Sequence, residues 1–66
     1  MGLTDRQIKA VMYVKNNGLI TNSDYQKICG VSERTALRDL DDLNAKNVLQ
    51  KKGEKKGTYY ELNYDG

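Results

Sequence analysis

Arg34, Thr35 and Arg38 are the most chemically pointed constellation in this chain of 66 residues. Side chains four apart lie one above the other on a helix, so the two arginines present their guanidinium forks together. A guanidinium can donate two parallel hydrogen bonds to a guanine edge or a phosphate. A threonine methyl can rest on the methyl of a thymine. Ser32 and Thr21 stand where helices begin, and the free N–H groups of a helix N-terminus suit phosphate oxygens. Downstream come Lys51, Lys52, Lys55 and Lys56, with only Glu54 among them. A flexible lysine is a point charge for a polyanion backbone.

Each of these residues also has a plainer role. Ser32 and Thr21 would cap helices in any helical protein. Arg38 and Asp42 are four apart and could pair on a solvated face. Lysines at a hairpin tip keep a sheet edge soluble. The acids Asp39, Asp41 and Asp42 stand at i, i+2 and i+3, a spacing that does not converge on one metal ion. With no histidine and a single cysteine, Cys29, the chain has neither a zinc ligand set nor an internal disulfide. It also lacks a nucleophile–base pair and a glycine-rich phosphate loop, so no enzyme active site and no cofactor are expected.

Three helices and a hairpin must position these groups. Thr4 and Gln7 form a capping box for a first helix over about 5 to 16, flanked by the staple positions Leu3 and Ile8. Ile8, Val11 and Met12, with Val14 beside them, mark its expected inner stripe, and Gly18 ends it. Tyr13 lies off that stripe, on the surface or against a partner. Leu19 and Ile20 make a short apolar step or minimal strand. Thr21 and Asp24 open a second helix with Tyr25, Ile28 and Cys29 on one face. Tyr25 reads as core and Cys29 as a small buried apolar residue. Gly30 breaks the helix, Val31 plugs the turn, and Ser32 caps a third helix over about 33 to 46.

The expected inner stripe of the third helix is Ala36, Leu37, Leu40 and Leu43. Arg34, Arg38, Asp41 and Ala45 face outward, flanked by Thr35 and Asp42. Beyond Asn47 the period changes to that of strands. Strands are expected over 48–52 and 58–62, joined by a five-residue loop from Gly53 to Gly57. Alternation turns Tyr60 and Leu62 inward and Tyr59 outward. Two helices joined by a short glycine-containing turn are a helix-turn-helix. The fold class is therefore α+β: a winged helix-turn-helix, three helices followed by a two-stranded β-hairpin wing.

The segment Val31-Ser32-Glu33-Arg34-Thr35-Ala36-Leu37-Arg38-Asp39-Leu40-Asp41-Asp42-Leu43 closely resembles the recognition helix of DeoR-type bacterial repressors. Val48-Leu49-Gln50-Lys51-Lys52-Gly53 continues the likeness into the wing. Residues 3–63 are similar to the winged-helix domain at the C-terminus of Fic-type AMP-transferases. They also resemble that of regulators with a divergent ATP-binding domain, some of them helicase-related. The resemblance implies that Ser32, Arg34, Thr35 and Arg38 touch DNA. Asp41 and Asp42 depart from the neutral or basic residues that many such repressors carry there.

A chain of this length makes one domain, and a lone thiol fits a reduced, cytoplasmic setting. There is no signal-peptide pattern and no apolar run near the ~20 residues of a membrane span. The formal net charge of +2 hides its uneven distribution, acidic at 39–42 and basic at 46–56. The expected partner is double-stranded DNA, with helix 33–46 in the major groove and the lysine-rich wing on the backbone. The rival expectation is a protein-interaction or dimerisation module, because outward acids repel phosphates. The tight fit of the elements to residues 1–66 predicts a single domain excised from a larger bacterial protein, with any homodimer formed through other domains.

Overall fold

A computed structural model describes residues 2–54 and 57–64. Its elements in chain order are α1 (Asp5–Asn17), α2 (Asn22–Cys29), α3 (Glu33–Ala45), β1 (Leu49–Glu54) and β2 (Gly57–Leu62). This is a winged helix-turn-helix. The helix starts are the expected ones: Thr4 with Gln7 and Thr21 with Asp24 form reciprocal capping boxes, and the Ser32 hydroxyl accepts from the Thr35 N–H. α2 ends on Gly30 in the left-handed conformation, which an L side chain adopts at a cost. α3 ends differently. Asn47, at φ 62°, takes the left-handed position, its N–H bonds the Asn44 carbonyl, and the Val48 N–H reaches back to the Leu43 carbonyl. That pair of bonds is a Schellman closure with asparagine in place of glycine, and it turns the chain directly into β1.

The core is built from Ala10, Val14, Ile20, Tyr25, Ala36, Leu40, Leu43, Leu49 and Tyr60. Two expected stripes are rotated. On α1 the buried residues are Gln7, Ala10 and Val14, whereas Ile8 and Met12 are 49% and 55% exposed. The reason is polar: the α1 face that meets α3 must answer the Asp39 main-chain carbonyl and the Asp42 carboxylate, which a glutamine does and an isoleucine cannot. Tyr13 is half-buried against the core. On α3, Leu37 is 47% exposed and Asp39 takes an inner place at 6%. Cys29 is half-buried, not fully buried.

The wing is an antiparallel ribbon with Leu49 opposite Leu62, Lys51 opposite Tyr60 and Glu54 opposite Gly57. Its strands run further toward the hairpin tip than expected, to Glu54 and from Gly57; Lys55 and Lys56 lie outside the described residues. Gly53 sits at φ 107° inside β1, and a Cβ there would collide with the Gly57 carbonyl oxygen. Only glycine fits. The step before α2 forms a single β-bridge to the wing rather than a strand. Ile20 exchanges both backbone bonds with Tyr60, at 2.9 and 2.8 Å, which ties the wing to the helices.

Candidate nucleic-acid interface

Arg34 and Arg38 stand on the outward side of α3, and both are exposed. Among the described residues neither side chain takes part in an ion pair or hydrogen bond. The alternative Arg38–Asp42 pair does not form. Thr35 and Ser32 sit at the start of the same helix, with the Ser32 hydroxyl donating to the Thr35 hydroxyl oxygen at 3.2 Å. Ser32 remains exposed and Thr35 is half-buried. Leu37, expected in the core, is instead exposed on the flank of this face.

The three aspartates explain why the arginines stay unpaired. Asp39 points inward, where Arg6 of α1 donates to it through Nε at 2.8 Å and the Tyr25 hydroxyl at 2.6 Å. Burial alone would raise the Asp39 pKa, but the bonds from Arg6 and Tyr25 outweigh it and hold the carboxyl below the usual range. The Tyr25 hydroxyl is pushed far up, first by burial and then by its bond to Asp39. Asp42 turns toward Lys46 at 2.8 Å and Gln7 at 2.9 Å. Those two bonds lower its pKa. Asp41 stays exposed and accepts from the Tyr60 hydroxyl at 3.4 Å. The three acids therefore turn to separate sets of partners, and none pairs with an outward arginine.

Gln7 is the residue that sequence reasoning placed only in a cap. Its Oε1 accepts from the Thr4 N–H, while its Nε2 donates to the Asp39 carbonyl and the Asp42 carboxylate. One buried amide thus closes α1 and seats α3. No single-sequence signal marks that second task. Asp39 did carry a signal: it lies three residues after Ala36 and four before Leu43, the spacing of the inner stripe. A buried carboxylate needs a cation, and Arg6 supplies it.

The wing does not present its lysines as one row. Successive side chains on a strand point to opposite faces, so Lys51 shares a face with Tyr60 and Lys52 shares the other with Tyr59. Lys52 leans toward Glu61 at 3.4 Å. The Lys51 N–H donates to the Asn44 side chain of α3 at 3.1 Å, which fixes β1 beside α3. Thr21 is half-buried, and its capping box with Asp24 engages its own N–H, which donates to the Asp24 carboxylate at 3.1 Å, and its hydroxyl, which accepts from the Asp24 N–H.

A shallow cleft on the other side is lined by Asp5, Arg6, Lys9 and Cys29. Burial raises the Cys29 thiol pKa. Among the described residues no three His, Cys, Asp or Glu side chains group where a metal ion could be held. No described helix is long and apolar enough to cross a membrane.

No protein family profile matches the sequence, and no curated protein matches it. Among solved structures, the chain is similar to the ferric uptake regulator from Francisella tularensis with iron, at a TM-score of 0.74 and 16% identity. The likeness covers 100% of this chain and 56% of that one, so the chain spans little more than half of that protein's length. At such identity the likeness establishes the winged-helix architecture.

Proposed function

We propose that this domain binds double-stranded DNA, with α3 in the major groove and the wing along the flanking backbone. The observation that carries the reading is the pair of exposed, unpaired guanidinium groups on α3, beside acids that are engaged elsewhere. Arg34 and Thr35 occupy the helix turn that reaches base edges in this motif. Arg38 lies one turn deeper, for a base or a phosphate. Ser32 offers a phosphate the exposed N-terminus of α3. Lys51 stands beside α3, Lys52 on the far face of the ribbon, and Lys55 and Lys56 extend the same positive stretch. Thr21 belongs to the footprint as the cap that sets α2 across the backbone.

The DeoR-type likeness of residues 31–43 and the regulator found among similar folds extend this to a role. The domain serves as the DNA-binding part of a bacterial transcriptional regulator in the cytoplasm, one domain of a longer protein. On this reading it binds and does not catalyse. The rival, a protein-interaction module, draws on the exposed Asp41 and Leu37 beside the arginines.

Fluorescence anisotropy with a labelled duplex at low and moderate salt separates the two. The expected affinity for arbitrary sequence is on the order of 10⁻⁴ to 10⁻⁶ M and falls steeply with salt. Binding that persists unchanged in Arg34→Ala and Arg38→Ala, or no binding at low salt, gives the surface to a protein partner.

A further inference from the structure

α1 carries a second surface, on the side away from the core. Asp5, Ile8, Met12 and Lys15 recur at spacings of three, four and three, the seam spacing of paired helices. All four are exposed. Gln7, Ala10 and Val14 line the opposite side of the helix and are buried. Ile8 and Met12 are thus large apolar side chains one turn apart, facing water. Neither Asp5 nor Lys15 has an ion-pair partner among the described residues.

We infer that this stripe is a self-association surface, on which α1 of one molecule lies antiparallel to α1 of a second copy. The charge pattern selects both the occupant and the direction. A two-fold axis at the level of residue 10 sets Ile8 opposite Met12 of the second copy, and Asp5 opposite its Lys15. Each contact is made twice, as a two-fold interface requires. Two apolar contacts then sit between two ion pairs. The parallel arrangement would stack Asp5 on Asp5 and Lys15 on Lys15, and like charges exclude it.

The pairing leaves α3 free. Arg6 and Gln7 bind Asp39 and Asp42 from the other side of α1. One helix per molecule makes an interface at the low end of the size range. The association is accordingly weak and reversible, with a dissociation constant on the order of 10⁻⁴ M. It does not depend on what α3 touches. Where α3 does bind a duplex, the pair carries two reading helices.

Sedimentation velocity on the 66-residue protein tests this, over a series from about 20 µM to about 1 mM that brackets the expected constant. Each variant is run where circular dichroism shows it folded. The parent is expected to move from monomer to dimer across the series. Met12→Glu is expected to weaken the dimer at least about tenfold, and Asp5→Lys to weaken it by about threefold to tenfold at low salt. Adding Lys15→Asp to Asp5→Lys rebuilds the complementary pairs and restores association. A parent that stays monomeric throughout overturns the inference. So does a dimer indifferent to Met12→Glu, or a double charge swap that fails to recover what Asp5→Lys lost. Anisotropy with duplex DNA on the same samples reads the α3 surface separately, so failure of one surface is distinguished from failure of the other.

Discussion

The seam between α1 and α3 and the outer face of α3 are built from the same residue types and arranged in opposite ways. In the seam, Asp39 and Asp42 are gathered in by Arg6, Tyr25, Gln7 and Lys46. On the outer face Arg34 and Arg38 have no side-chain partner among the described residues. Charges that face each other inside a fold locate its elements, and removing one leaves the other uncompensated. Charges left alone on the surface add little to stability and are available to a ligand. The difference teaches that Asp39 and Asp42, which look hostile to a polyanion in sequence, serve to position the helix.

Variants on the two sides should therefore fail in different ways. Asp39→Ala is expected to produce the largest effect, about 3 kcal/mol of stability, set at the low end for a broken buried pair because Arg6 is partly exposed. In a domain of this size that lowers the Tm by roughly 12–24 °C, read by thermal circular dichroism. Next come Arg34→Ala and Arg38→Ala, expected to cost about 1–3 kcal/mol at a preferred duplex while moving stability by less than about 0.5 kcal/mol. If either arginine variant melts like Asp39→Ala, the contrast between seam and surface is lost.

Smaller effects sharpen the comparison. Tyr25→Phe removes one hydrogen bond to a charged carboxylate and should cost about 1.5–2 kcal/mol in stability, with DNA affinity unchanged. The folded state holds Asp39 and Asp42 below the ordinary carboxylate range. Their contribution is thus complete above a pH of about 4 and is lost as the pH falls through the folded-state values. Acid titration of the melting temperature should show that decline, and Asp39→Asn should flatten part of it. Least of all, Lys51→Ala should reduce the salt slope of duplex binding by about 1. Lys52→Ala, on the other ribbon face and near Glu61, should change it by less than half as much.

The order of elements was legible because each start and stop is a local event. Thr4, Thr21 and Ser32 at the caps and Gly30 at the break act through bonds within a few residues. The outward place of Arg34 and Arg38 followed from helical period alone. What failed was the choice of inner stripe, since hydrophobicity favoured Ile8, Met12 and Leu37 over Gln7, Ala10 and Asp39. That choice depends on which residues of α1 meet which residues of α3 across more than 30 positions of chain, and periodicity carries no such information. The wing lysines illustrate the same limit. Their number was evident, but pairing register decides that Lys51 and Lys52 part to opposite faces.

The most direct test is a titration of the ¹⁵N-labelled protein with a short duplex at low salt, followed by amide NMR. The account predicts shifts gathered on residues 32–38 and on β1 around Lys51, with the buried amides of α1 near Ala10 and Val14 unmoved. Shifts confined to α1, or a spectrum that ignores the duplex at low salt, would contradict it.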